Sequence, residues 1–587
     1  MKLRKILYGA IAVVLGAALL AGCTFLPGQR SLALLQGAKT TNPAGIAFVS
    51  KQSPAVFSLL VNPDRLAEFR QAAAPLWKRG QATTEVEQLE QTLLAGAGLD
   101  YQQDIQPWLG DEITFALPTL DLDRVASNGQ QPGYLLIAAT EDAELSRQFL
   151  QAFWQQRAIA GTDLVFEEYK GVKLIYGKTA SPPAAIRSRQ RNRSTVPTTD
   201  STIASAVVGD RFVLFANDPR LLREAINNVQ APELSLAKAA DYNTALNNLA
   251  APRIGLAFLD VPALTRWLGQ PSVPESAADD EAMPPYDNLA IGVGLNRQGL
   301  LAELALLGSK TTLPATRPAL TQPAGALGYL PAGSALSIAG KNLQQLWSQL
   351  GTEEQANNAL FKLIQQPLVD LQTKLRISLA NEVFDWVKED YAFSLLPSDR
   401  TNDPIPQPAN WVFATQRSAA AKSGIEHLDE IASQQGLSIG SLDLAGQSVV
   451  AWTRLAAQPV SQDTQQTPAL SATVQGLHAS QGNYEIFATS IEAMSAALKT
   501  NKTSLLTSAT FKRAIAPLPD ANDGYLYLDW PKSRQLLEQR FPILTLVELA
   551  GKPVFGNLRS ITASGFGGDA GLYRSQVFIR FGQPDSD

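Results

Sequence analysis

One cysteine and two histidines serve a chain of 587 residues. A single thiol excludes a disulfide framework, a zinc ribbon and an iron–sulfur site, each of which needs several cysteines. Two histidines leave little room for histidine catalysis or metal binding. Charge is scarce as well: 18% of residues are charged, against about 25% in typical globular proteins. Lys and Arg total 49, Asp and Glu 54, for a net charge of −5, so the basic excess of a dedicated nucleic-acid binder is missing. No P-loop or HExxH occurs, nor a GxGxxG ahead of a helix, which removes the common sequence signatures of nucleotide enzymes and zinc proteases. Apolar residues, in contrast, reach 45%. That supplies sizeable cores and argues against wholesale disorder, and the length suggests several domains of about 150 residues each.

The single cysteine is placed informatively. Lys2, Arg4 and Lys5 precede an apolar run from Ile6 to Leu20, which ends in Ala21-Gly22-Cys23. A basic start, a short apolar stretch and small residues before a cut form a secretory signal, and a cysteine directly after them resembles the bacterial lipobox. The resemblance implies cleavage after Gly22 and diacylation of Cys23, the new N-terminus. The run of about 15 residues is short of the roughly 20 needed to span a bilayer. The expectation is a signal peptide over 1–22, a tether over 23–44 and a membrane anchor through lipid, with the body outside the cytoplasm on a periplasmic or thylakoid-lumen face.

The body reads as two similar halves. Residues 105–117 (IQPWLGDEITFAL) align without gaps with 383–395 (VFDWVKEDYAFSL), matching Trp108 to Trp386 and Phe115 to Phe393. Six further segments follow in the same order, among them LVFEEY-KG-VKLIY with SLDL-AG-QSVVAWT, and LAFLDVPAL with LYLDWPKS. Ordered self-similarity of this kind predicts a tandem duplication, with repeats over 45–310 and 326–582, a Pro-rich linker over 311–325 and a tail over 583–587. Ile113, Phe115 and Leu117 alternate as in a strand, Lys170-Gly171 and Gly209-Asp210 suit two-residue hairpin turns, and Val86, Leu89 and Leu93, like Leu145, Phe149 and Phe153, line helical faces. The expected class is α+β, each half a largely antiparallel sheet packed with helices.

Four strands run into an Asn or Asp followed by proline: Asn62, Asp218, Asp260 and Asp529. Their side chains are expected to cap helix starts. The segments 181–201, 270–285, 397–408 and 456–468 read as surface loops. The first carries Arg187, Arg189, Arg191 and Arg193, candidates for contact with anionic lipid headgroups. His427 sits among acids and His478 beside a turn, so both are expected at the surface and neither in catalysis. Asp111-Glu112 and Asp121-x-Asp123 are the only acid groupings of metal-ligand type. Adjacent acids on a strand point to opposite faces, so they are read as surface residues. No catalytic, cofactor or metal residues are assigned.

The stretches at 48–69 (FVSKQSPAVFSLLVNPDRLAEF), 98–124 (GLDYQQDIQPWLGDEITFALPTLDLDR) and 161–177 (GTDLVFEEYKGVKLIYG) resemble an uncharacterised domain-of-unknown-function family of large membrane-anchored proteins from cyanobacteria. The resemblance implies a tethered extracytoplasmic protein and brings no catalytic residues. The expected function is a non-enzymatic envelope protein, a binding or scaffold module partnered by the membrane and by other envelope proteins, not by nucleic acid. The alternatives are a carrier of lipid or another small ligand in an apolar cavity, and a hydrolase with a dispersed site.

Overall fold

The computed structural model describes residues 42–65, 99–125, 129–177, 203–269, 286–311, 313–344, 372, 378–397, 410–457, 470–500, 503–540 and 555–582. Packing divides the chain into two compact units, Met1–Pro274 with Pro285–Leu313, and Glu275–Pro284 with Pro314–Asp587.

In the first unit the strands are β1 (Ala55–Leu59), β2 (Leu109–Thr119), β3 (Gly133–Thr140), β4 (Leu164–Tyr169), β5 (Val172–Gly177), β6 (Ala204–Val208), β7 (Phe212–Ala216), β8 (Gly255–Asp260), β9 (Asn288–Asn296) and β10 (Gly299–Leu307). All their ladders are antiparallel, in the order β4-β5-β6-β7-β3-β2-β1-β8-β9-β10. The second unit holds β11 (Leu336–Lys341), β12 (Asp390–Leu395), β13 (Trp411–Gln416), β14 (Ser438–Leu444), β15 (Gln447–Ala457), β16 (Leu470–Gln481), β17 (Tyr484–Ala488), β18 (Gly524–Asp529), β19 (Leu558–Gly565) and β20 (Leu572–Phe581). Its antiparallel order is β14-β15-β16-β17-β13-β12-β11-β18-β19-β20, which follows the first order strand for strand.

The expected fold class needs correction. It assigned each half its own sheet packed with helices, whereas the described strands join in one 20-stranded sheet. The physical reason is general: the number of strands that pair in a sheet is decided by the folded chain and not by any one segment. Sequence periodicity marks a strand and its buried face but does not say how many strands pair.

Local chemistry explains the elements. The turns Lys170-Gly171 (φ 50° and 80°) and Gly209-Asp210 (φ 60° and 52°) have positive φ at both positions, the geometry that matches the twist of tight hairpins. All four Asn/Asp–Pro junctions cap as expected. Asn62, Asp218, Asp260 and Asp529 accept the backbone N–H of Asp64, Arg220, Ala263 and Lys532 at 2.8, 2.8, 2.8 and 3.3 Å. Helix α1 (Ala143–Ile159) starts on Asp142 and buries Ser146, Phe149, Leu150, Phe153 and Trp154. Leu145, expected on that stripe, is 38% exposed, because the buried face is centred one residue further along. The core beneath α1 includes Trp108, Ala138 and Val213. Trp108 and Trp386 make the same local bond: each indole N–H donates to the carbonyl four residues earlier, Asp104 at 2.7 Å and Glu382 at 2.6 Å. Val86, Leu89 and Leu93 lie outside the described residues.

Candidate functional site

The densest grouping of chemically capable side chains lies in the second unit. Helix α5 (Ala419–Gln434) is the fifth of the longer described helices, after α2 (Pro219–Gln230), α3 (Ala240–Asn247) and α4 (Val261–Gly269). Its Ser418 cap accepts the N–H of Ala421 at 3.0 Å. Ala421, Ile425, Leu428 and Ala432 form its buried stripe. Asp429 follows Leu428 directly and so flanks that stripe. From there its Oδ1 accepts the Trp452 indole N–H of β15 at 2.7 Å and lies 3.1 Å from His478 Nε2 on β16. A carboxylate oxygen accepts in such a contact, with His478 Nε2–H as the donor. The imidazole is 5.7 Å from both the Trp452 and the Phe487 rings, at 50° and 30°. Gly476, opposite Trp452 in the ladder, makes room for the indole: a Cβ there would lie 2.8 Å from Trp452 Cε3.

His478 is therefore 7% exposed, which corrects its expected place at the surface. It faces inward because it shares the face of β16 that packs under α5. His427, one residue from the stripe on the other side, is exposed, with Nδ1 3.8 Å from Glu430. The pair Asp429–His478 has the form of an orienting acid and a base. A nucleophile would complete it. The hydroxyl two residues along β16, Ser480, instead donates to both oxygens of Glu485 at 2.8 Å, and Arg417 engages Glu485 at 3.0 Å. What the arrangement does is join helix α5 to two strands, β15 and β16.

The first unit places its polar groups in comparable ties. Glu112 on β2 is 4% exposed, so the surface reading of this acid is corrected. Its two oxygens accept the N–H groups of Ala44 and Gly45 at 2.8 and 2.7 Å, and Thr114 donates at 3.1 Å. Burial pushes its pKa up, while those donors and Arg211 pull the other way. Asp111 turns to the opposite side and pairs with Arg65 at 3.5 Å. Asp390 of β12 does in the second unit what Glu112 does in the first, accepting the Gly325 N–H at 3.1 Å. Asp121 and Asp123 bind the backbone N–H of Gln131 and Val125.

An open groove of about 350 Å³ runs beside α1, walled by Leu99, Asp104, Phe149, Phe153 and Ile159. The Arg157 guanidinium lies over the Phe153 ring, 4.5 Å from its centroid. Burial lowers its pKa.

Residues 7–581 match a family described as "Protein of unknown function (DUF3352)". The chain belongs to that family. No curated protein matches it. Among solved structures, crystal forms I, III and IV of TP0453 match at 8% identity. They cover 48, 47 and 46% of this chain and 88, 89 and 83% of theirs, with TM-scores of 0.22, 0.21 and 0.21. At those scores the likeness carries no argument. In this DUF3352 chain Cys23, Arg187, Arg189, Arg191 and Arg193 lie outside the described residues. No group of three or more His, Cys, Asp or Glu able to hold a metal occurs among the described residues, and no described helix is long and apolar enough to cross a membrane. Sequence reasoning missed Asp429 and Trp452. The available signal was a glycine facing a tryptophan across a hairpin.

Proposed function

We propose that the protein is a non-enzymatic binding or scaffold module, tethered to a membrane by lipid on Cys23 and standing outside the cytoplasm. One observation carries the non-enzymatic reading. A single oxygen of Asp429 serves both Trp452 and His478, so the most enzyme-like side chains are engaged in holding α5 to the sheet. The tether rests on the basic start, short apolar run and Ala-Gly-Cys ending. The resemblance to anchored cyanobacterial proteins fits a periplasmic or thylakoid-lumen face, with other envelope proteins as partners. The test is Cys23→Ser in the full chain. The variant should lose metabolic lipid labelling and either leave the membrane fraction or persist as the uncleaved precursor. Unchanged size and labelling would end the lipoprotein reading.

The groove beside α1 favours a second reading, carriage of an amphiphile. Leu99, Phe149, Phe153 and Ile159 give it an apolar stretch beside Asp104, Gln155 and Gln156, and Arg157, stacked on Phe153, offers a cation to an acidic head. A fluorescent long-chain fatty acid should bind the full chain, and Ile159→Asp with Arg157→Glu should abolish that binding. Ile159 is 81% exposed, so the fold tolerates the change, and undiminished binding by the double variant rejects the carrier reading.

A further inference from the structure

Arg253 stands in the short connection between α3 and β8, and is 5% exposed. Its Nη2 donates to the carbonyls of Leu246 and Leu249 at 3.4 and 3.1 Å, closing the C-terminal end of α3. The Nε–H and the Nη1 donors are buried and meet no acceptor. No carboxylate among the described residues comes within ion-pair distance. Glu303 is near enough to favour the charged guanidinium but does not touch it, and its own carboxylate accepts the Ala250 N–H. Close by is a second orphan. The Tyr242 hydroxyl, on a residue 3% exposed, has no hydrogen-bond partner, and the charge of Arg253 reaches it. The ring itself is well placed, edge-on to Phe258 at 5.3 Å.

The same ladder positions in the second unit give a contrast. Gly255 pairs with Leu59 as Gly524 pairs with Gly340, which sets Arg253 beside Asn522 in the comparison and Phe258 beside Tyr527. There Phe511 packs edge-on to Tyr527 at 5.2 Å, with no hydroxyl of its own. Asn522 is fully partnered: its Nδ2 reaches Pro519 O, Asp520 O and the Tyr525 hydroxyl at 2.9, 3.0 and 2.7 Å, and its Oδ1 accepts Gly524 N–H at 2.9 Å. One unit fills this position with a neutral, satisfied amide. The other fills it with a buried cation whose Nε and Nη1 donors lack acceptors.

Buried polar groups are hydrogen-bonded in nearly all proteins, and an exception calls for an ion or water. A buried charge without a partner is costlier still. We infer that Arg253 holds a small monovalent anion of the halide class inside the first unit, with the Tyr242 hydroxyl as a second donor. The orphaned groups are donors, which selects an acceptor. Water could accept but would leave the positive charge uncompensated. A single guanidinium charge with no direct ion pair selects a single negative charge, and the nearby Glu112 and Glu303, whose fields reach Tyr242 and Arg253, oppose a divalent ion. Burial of both side chains selects a small one.

The test uses the full chain at constant ionic strength, with sodium gluconate, too large to enter, replaced stepwise by sodium chloride or bromide. Hydrogen exchange of residues 240–258 reads the site. Protection should rise and saturate with chloride and bromide. Arg253→Met should abolish the response, and Tyr242→Phe should move its midpoint at least threefold higher in halide. Crystals grown in bromide should show an anomalous peak at the guanidinium. Equal protection in gluconate and halide, a response that survives Arg253→Met, an unmoved midpoint in Tyr242→Phe, or bromide crystals without that peak would each overturn the assignment. Should Arg253→Met fail to fold, the halide series and the bromide crystals decide on the natural sequence.

Discussion

Asp429→Ala tests the reading of Asp429 as the tie between α5 and the sheet. Truncation removes the acceptor of two donors at once, the Trp452 indole N–H and His478 Nε2–H, on residues 6% and 7% exposed. Each orphaned buried donor costs about 1–3 kcal/mol. The Asp429 side chain is itself 29% exposed, so some water reaches the vacated site, and the expected loss is about 2–4 kcal/mol. Global unfolding is a poor readout because a chain of two units need not unfold in one step. Native-state hydrogen exchange of residues 419–434 is better, since it reports local opening directly. At 1.4 kcal/mol per factor of ten, exchange of α5 should accelerate about 30- to 700-fold. Asp429→Asn keeps an acceptor oxygen and should fall well short of that. Adding His478→Phe to Asp429→Ala should recover part of the loss, because removing both partners of a buried bond costs less than removing one. Protection of α5 within threefold of the unaltered protein in Asp429→Ala would refute the reasoning and leave packing of Ile425 and Leu428 as the whole attachment.

Gly424→Ala should destabilise by about 1–3 kcal/mol through overpacking, because a Cβ there would lie 2.4 Å from Trp386 Nε1; urea unfolding followed by tryptophan fluorescence reads it, and an unchanged midpoint contradicts the packing. Hydrogen bonds from Arg223, ahead of its through-space charge, hold the Glu167 carboxyl below its ordinary value of 4.5. That contribution is present above about pH 4.5 and lost as pH falls, so Arg223→Met should remove part of the acid sensitivity of the β4–β5 hairpin by hydrogen exchange. Burial raises Glu112 above 4.5, so its contribution has the opposite sign: present below pH 4.5 and lost as pH rises through the higher folded value. Glu112→Gln should flatten that decline in exchange protection of residues 109–119, and an equally steep decline would reject it. The exposed His427→Ala should change stability by less than about 0.5 kcal/mol, read as an unmoved urea midpoint.

Legibility in the sequence followed the range of the interaction. Caps and tight turns are decided within four residues, and Asn62, Asp218, Asp260 and Asp529 all cap where their spacing with proline placed them. The order of strands within a unit was partly readable because alternation and hairpin turns are local too. Sheet extent was not, since the number of strands that pair is a property of the folded chain rather than of any segment. His478 shows the limit most clearly. In sequence it neighbours a polar turn and looks solvated; its inward direction comes from the pairing of β16 with β15 and β17, and its partner Asp429 lies 49 residues away. Glu112 fails for the same reason, with backbone N–H partners 67 and 68 residues earlier. A polar residue in a strand is buried when a distant element brings the complementary group, so composition around it predicts its solvation poorly. Arg253 is the reverse case: no acceptor for its Nε and Nη1 arrives among the described residues, and that lack of partners is what the sequence around it gives no sign of.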